Sequence, residues 1–302
     1  MRDWREELRT MIAAGEVRFD EPMRAHTSFR IGGPVDALVV PGTPAELRQA
    51  ADFAVLRELP WLVLGRGSNL LVRDGGLRGL ALKTSPCLRW CRFTDGEVLA
   101  GAGLTLAELA NEAAARSLAG LAFAGGIPGT VGGGVLMNAG AYGGEMAAVV
   151  TEVTAYYPGR GEKVWSGGEL GFGYRQSRFQ GETVLIENAR FKLTAGDEAA
   201  IREEMACLAR QRQAKQPLSM PSAGSVFRRP PGGHAGPLIE QAGLKGVCIG
   251  AAQVSPLHAN FIVNLGGATA ADVLALIELV QRRVLASSGV MLVPEIKVVG
   301  ED

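Results

Sequence analysis

Residues 125–144 read "GGIPGTVGGGVLMNAGAYGG", nine glycines in twenty residues with no charge and one proline. Fixing glycine costs more backbone entropy than fixing any other residue, so such density calls for a physical reason. Isolated glycines are explained by turns and close helix packing. A run this dense, with Asn138 and Ala139 inside it, points to a large ligand pressed against bare backbone, where a Cβ would collide and successive N–H groups can face an anion. The wider uncharged run 117–144 is long enough to cross a bilayer. Its ten glycines and Pro128 would leave a weak helix with little apolar side chain to offer lipid.

A second glycine-rich stretch, "WLVLGRGSNLLVRDGG" (61–76), sets Gly65-x-Gly67 behind a strand-like run. It fails as the dinucleotide fingerprint of a doubly wound sheet. Leu70 stands where the third glycine belongs, and the chain goes on to an Asp74-Gly75-Gly76 turn instead of a helix. No acidic residue lies between Gly75 and Thr94 to hold a ribose. A Walker loop fails as well, for want of Gly-Lys-Ser/Thr in the opening stretch.

Outward from these loops, helical periodicity predicts helices over 44–59, 106–118, 197–213, 237–242 and 270–288. Thr105 and Glu108 form a capping box for the second, and the last carries Val273, Leu276, Ile277, Val280 and Val284 on one stripe before Gly289. Strand-like runs are "VDALVV", "WLVLG", "GLALK", "EVLAG", "VVTEVTAYY", "TVLIENARFKLT", "ANFIVNL" and "VMLVPEIKVV". Helices and strands interleave without a fixed repeat, which predicts an α+β fold. A proline-rich stretch, 213–236, follows the charged helix near 197, and a domain boundary is expected near residue 196.

The 302 residues have room for two or three domains. Lys+Arg and Asp+Glu balance at 31 each, with no run of like charge, so a small neutral or anionic ligand is expected rather than nucleic acid or an anionic membrane. The opening "MRDWREELRT" has no apolar core of a signal peptide. Four cysteines and three histidines are scattered without metal-ligand spacing, which predicts a reduced, cytoplasmic, metal-free protein.

Seven stretches, "HTSFRIGGPVDALVVP" (26–41), "GRGSNLLVRDGG" (65–76), "AGGIPGTVGGGVLMNAGAYGGEM" (124–146), "GYRQSRF" (173–179), "PSAGSVFRRP" (221–230), "AGLKGVCIGAAQVSPLHANFIVN" (242–264) and "VPEIKVVG" (293–300), occur in this order. In this the chain resembles the UDP-N-acetylenolpyruvoylglucosamine reductase family over about residues 24–300. The resemblance implies an FAD-binding fold of the vanillyl-alcohol oxidase type in residues 1–195, with lobes of about 24–70 and 71–195 behind a short N-terminal extension. A separate α+β substrate-binding domain would follow in 196–302. It further implies noncovalent FAD, NADPH as co-substrate, and reduction of UDP-N-acetylglucosamine-enolpyruvate to UDP-N-acetylmuramic acid for peptidoglycan. FAD would be held by Gly65, Arg66, Gly67, Ser68, Asn69 and Leu70, by Ala124, Gly125, Gly126, Ile127, Pro128 and Gly129, by Val131, Gly132 and Gly133, and by Asn138, Gly140 and Ala141.

Hydride transfer to C3 of an enolpyruvyl group builds negative charge on the C2–carboxylate system, so the site needs a fixed cation and then a proton donor at C2. By resemblance, Arg175 polarises the carboxylate together with Glu295, and Ser225 gives the proton. Tyr174, Lys215, Arg229, Gln241 and Asn260 would contact the substrate. Without the resemblance Arg175 reads as a loop arginine, Glu295 as a solvated strand-edge residue, Ser225 as a turn hydroxyl and Asn260 as a strand-end hydrogen bond. His26 and His258 read as structural. Two departures stand out: Arg228-Arg229 replaces the family's common Lys-Asn, and the chain resembles the shorter branch, which lacks an inserted tyrosine loop. An oxidase of the same flavin architecture and a non-catalytic flavin-binding protein are the rival readings.

Overall fold

A computed structural model describes residues 4–302. The first three residues of the opening stretch lie outside that range. The helices are α1 (Trp4–Met11), α2 (Pro44–Leu56), α3 (Leu106–Ala114), α4 (Val131–Leu136), α5 (Glu198–Lys215), α6 (Ala235–Gln241) and α7 (Ala270–Ser288). The chain forms two compact units that interleave along the sequence. The first takes the chain up to Phe19, Ala37–Gly65 and Gly79–Arg212; the second takes Asp20–Asp36, Arg66–Arg78 and Gln213–Asp302. The boundary expected near 196 falls just before α5, whose residues through Arg212 stay with the first unit.

The first unit is built on a five-stranded antiparallel sheet in the order Gly161–Ser166, Val150–Tyr157, Leu185–Lys192, Glu97–Gly101, Cys91–Thr94. Alternating residues of its central strands, among them Val153, Ala155, Ala189, Phe191, Val98 and Ala100, are buried, as the pleat requires of a sheet covered on one face. In a second sheet Trp61–Leu64 runs parallel to Leu80–Lys83. α3 begins at the expected capping box: the Glu108 N–H donates to Thr105 Oγ1 (3.1 Å), and the Thr105 N–H donates to the Glu108 carboxylate (3.0 Å). The Thr105 hydroxyl, followed by the Arg89 guanidinium, holds the Glu108 carboxyl down at about 2.

α4 was not expected. Three glycines among six residues oppose a helix on propensity alone. Packing overrides propensity here, because Val131 and Val135 bury one stripe while the glycines admit neighbours no side chain would allow. A Cβ on Gly132 would lie 2.9 Å from Ala102 Cβ, and one on Gly134 would lie 3.2 Å from Leu106 Cδ1 and 3.3 Å from Met146 Cε.

In the second unit Cys248–Ile249, Ala252–Val254 and Ile262–Asn264 form a small antiparallel meander, and Leu70–Val72 pairs in parallel with Lys297–Val299. The strand expected over 290–299 is shortened to its last three residues. Pro294 has no N–H for a ladder, although Phe227 and Pro294 still meet in an isolated bridge. α7 buries its predicted stripe and ends at Gly289 with φ +72°. Besides its own Thr269–Asp272 capping box, it receives Asp74, whose carboxylate accepts from the N–H groups of Ala270 (2.9 Å) and Ala271 (3.0 Å). Asp74 therefore caps a helix almost two hundred positions away in sequence, and its charge suits the positive end of the helix dipole. Asp74→Ala should lower stability by about 1 kcal/mol, read as a shift of the urea midpoint with unchanged slope. An unmoved midpoint would mean that the capping box alone satisfies the helix end.

Candidate functional site

In the second unit, the turn after Gly65 offers backbone donors. The N–H groups of Arg66, Gly67, Ser68 and Asn69 donate to no acceptor among the described residues. Four successive donors of this kind suit an anion, since partly buried N–H groups need an acceptor. Gly67 has φ +60°, and a Cβ there would lie 2.3 Å from the His26 carbonyl oxygen, so only glycine fits. Asn69 anchors the turn: its Nδ2 donates to the Glu295 carbonyl (3.3 Å), and its carbonyl accepts from the Lys297 N–H (2.9 Å).

Ser225 and Glu295 are brought close in the same unit, on adjoining extended segments. The Glu295 N–H donates to the carbonyl of Val226 (2.7 Å), and on the other side the Val226 N–H donates to the Asn260 carbonyl (2.8 Å). Asn260, expected as a substrate contact, is 8% exposed, and its amide grips the Phe227 backbone at both ends. Oδ1 accepts the Phe227 N–H (3.0 Å) and Nδ2 donates to the Phe227 carbonyl (2.9 Å). It holds the segment bearing Ser225. Nδ1 of His258 accepts the Asn260 N–H (3.3 Å), and burial lowers the pKa of that ring. His26 Nε2 lies 2.8 Å from Glu21 Oε1.

The glycine-rich segment of the first unit differs from expectation. Its N–H groups turn inward: Val131 donates to Leu104 (2.8 Å), Gly132 to Ala102 (3.0 Å), Gly129 to Ile127 (2.8 Å), Ile127 to Ala124 (3.0 Å) and Gly133 to Thr130 Oγ1 (3.4 Å). The first-turn donors of α4, which a helix start would ordinarily leave open, are thus satisfied by the chain beyond Gly101 and by the N-cap Thr130. None of the glycines from 125 to 134 has a positive φ. They serve close approach. A Cβ on Gly65 would come 2.6 Å from Thr130 Oγ1, one on Gly125 3.1 Å from Met205 Cε, and one on Gly126 3.1 Å from Arg212 Nη1. A cavity of about 340 Å³ lies beside Gly125 and Gly126, against Asn111 and Met205. Gly133 is exposed and has only Thr130 Oγ1, at 3.6 Å, near its would-be Cβ.

Asn138 is 1% exposed and also works within the protein. Its Oδ1 accepts the Ala147 N–H (2.9 Å), and its Nδ2 donates to the Gly173 carbonyl (3.0 Å) and to Glu145 Oε2 (3.2 Å). Gly140 and Ala141 form half of a small hairpin with Gly144 and Glu145. Arg175 is half-buried, with φ +55° and Nη2 3.4 Å from the Gly140 carbonyl. Tyr174 beside it is 51% exposed. Lys215 at the end of α5, Arg229, and Gln241 at the end of α6 are exposed. Sequence reasoning missed Gln180, whose side chain reaches Arg175 and Leu136. Only the short spacing from the "GYRQS" motif could have drawn attention to it. Among the described residues no three His, Cys, Asp or Glu side chains are grouped to hold a metal, and no helix is long and apolar enough to cross a membrane. Burial pushes the Cys87 thiol up to about 11, which leaves it protonated and unreactive near neutral pH.

Residues 35–167 match the FAD-binding domain family, which makes this α+β chain a flavin-binding protein. Residues 216–299 match the C-terminal domain of UDP-N-acetylenolpyruvoylglucosamine reductase. The reductase of Caldanaerobacter subterraneus subsp. tengcongensis is 45% identical over 296 residues, covering 98% of each chain. UDP-N-acetylenolpyruvoylglucosamine reductase 2 of Symbiobacterium thermophilum is 47% identical over 299 residues, covering 98% of this chain and 97% of that one. The crystal structure of the Thermus caldophilus reductase superposes with a TM-score of 0.78 at 37% identity, covering 94% of this chain and 98% of that one. The chain belongs to the UDP-N-acetylenolpyruvoylglucosamine reductase family.

Two of the three glycines of α4 should behave differently. Gly132→Ala forces a methyl group against Ala102 and should destabilise the FAD-free protein by about 1–3 kcal/mol, less at most about 1 kcal/mol of regained helix propensity. Gly133→Ala should leave its melting temperature unchanged or slightly raised. Equal melting temperatures for both variants would show that α4 does not pack as described.

Proposed function

We propose that this chain reduces UDP-N-acetylglucosamine-enolpyruvate to UDP-N-acetylmuramic acid with electrons from NADPH, in the cytoplasmic synthesis of peptidoglycan precursors. The observation that carries this reading is the 45% identity to a reductase of that name over 98% of both chains. Neither an oxidase of the same architecture nor a non-catalytic flavin binder accounts for that extent of likeness. The matched families support a division of labour in which the chain to about residue 195 binds FAD and the chain beyond it binds the sugar nucleotide.

FAD fits the residues present. The open N–H groups of Arg66–Asn69 suit its pyrophosphate. When bound without a covalent link, FAD supplies the hydride that C3 of the enolpyruvyl group accepts, replenished from NADPH. Arg175 meets the charge that grows on the carboxylate side with a planar, permanently charged fork, and Glu295 acts with it on the same system. Ser225 donates its hydroxyl proton to C2, completing the lactyl product, and the serine oxygen takes a proton back from solvent before the next turnover. Asn260 and Asn69 keep Ser225 and Glu295 in place through the backbone of their segments. Tyr174, Lys215, Arg229 and Gln241, all exposed, present polar and cationic groups to a uridine diphosphate sugar.

The purified protein should be yellow, bleach anaerobically with NADPH, and regain its colour when UDP-N-acetylglucosamine-enolpyruvate is added. Oxygen as the only effective acceptor would indicate an oxidase, and failure to bleach a flavin binder without this chemistry. Ser225→Ala should bleach normally and recover more slowly by about 10² to 10⁴, the usual loss for a positioned general acid. Recovery at the wild-type rate would remove Ser225 from the proton transfer.

A further inference from the structure

Three side chains tie residues 173–180 to the chain leaving α4. Ser177 Oγ donates to the Leu136 carbonyl (2.8 Å), Asn138 Nδ2 donates to the Gly173 carbonyl (3.0 Å), and Gln180 Nε2 donates to the carbonyls of Leu136 (3.0 Å) and Arg175 (2.9 Å). The Gln180 amide thus joins the last carbonyl of α4 to that of Arg175, with Met137 Sδ as a more distant acceptor at 3.5 Å. Arg175 occupies the second central position of a turn closed by reciprocal bonds between Gly173 and Gln176 (3.1 and 3.0 Å), and its φ is +55°. Glycine is the residue that ordinarily fills such a position, and the left-handed region costs any residue with a Cβ about 1–2 kcal/mol. A strained backbone of this kind persists only where its surroundings over-determine it, and it concentrates at functional sites.

We propose that Gln180 is the positioning residue for Arg175, with Asn138 fixing the other end of the same turn. The carbonyl held by Gln180 sets the peptide plane that follows Arg175, and the carbonyl held by Asn138 belongs to the residue that opens the turn. Together they fix the Cα–Cβ direction from which the guanidinium reaches out. α4 serves as their anchor. The inference rests on the catalytic reading of Arg175 given above.

The test compares wild type, Gln180→Ala, Arg175→Lys and the double variant as FAD-loaded proteins, following anaerobic bleaching by NADPH and recovery with the enolpyruvyl sugar nucleotide separately. Gln180→Ala should bleach at the wild-type rate with unchanged FAD content and recover about 10- to 100-fold more slowly, the scale of a misplaced catalytic group. The double variant should recover no more slowly than Arg175→Lys alone, because Gln180 acts through Arg175. Gln180→Met keeps the volume while removing both donors, and carries the test if the alanine variant does not fold. Multiplicative losses in the double variant, equal slowing of both half reactions, or unaltered recovery in Gln180→Ala would overturn the proposal while leaving the reductase reading intact. A wild-type protein that bleaches but does not recover with this substrate would overturn both.

Discussion

The close approach of Gly132 to Ala102 is the contact on which the first unit's share of the site depends. With no Cβ at 132, the first turn of α4 can settle against the end of strand Glu97–Gly101 and give its N–H groups to Ala102 and Leu104. This places the last carbonyl of α4, on Leu136, where Ser177 and Gln180 converge on it. Asn138, two residues later, joins the same loop through Gly173. Arg175 is therefore positioned by a chain of contacts that begins at a glycine more than forty residues earlier.

The second unit holds its groups by other means. Ser225 and Glu295 lie on extended segments joined through Val226, and Asn260 secures the neighbouring Phe227 with both polar atoms of its amide. Buried amides satisfied at both ends make such a segment rigid at little electrostatic cost. Asn69 links the row of open N–H groups to the Glu295 and Lys297 backbone, so the turn of open donors and the carboxylate-bearing segment share one anchor.

Much of this was legible in the sequence. The capping box at Thr105, the stripe of α7 and the central strands are local patterns of period 3.6 or 2, and they fold as read. The ordered motifs identified the family and the residues to watch. What the sequence hid was non-local. Nothing near "VGGGVL" reveals that Ala102, Leu106 and Met146 will pack there, so a helix stood against its own propensity. The dense glycines were read as ligand-facing backbone, whereas most of their N–H groups point into the protein. Asn138 and Asn260 were named as ligand contacts by resemblance, and their bonds to Gly173 and Phe227, more than thirty residues away, were not legible. Asp74 read as a turn residue and gave no sign of capping α7.

Residue-resolved amide hydrogen exchange on the FAD-free and FAD-loaded protein addresses the central claim, that backbone donors for the flavin's pyrophosphate reside in Arg66–Asn69 while those of α4 are used internally. Val131 and Gly132 should be protected in both states, and Gly67, Ser68 and Asn69 should exchange rapidly until FAD is added and then be protected. Rapid exchange at Val131 and Gly132 in the FAD-free protein, with protection there and not at 67–69 on loading, would contradict it.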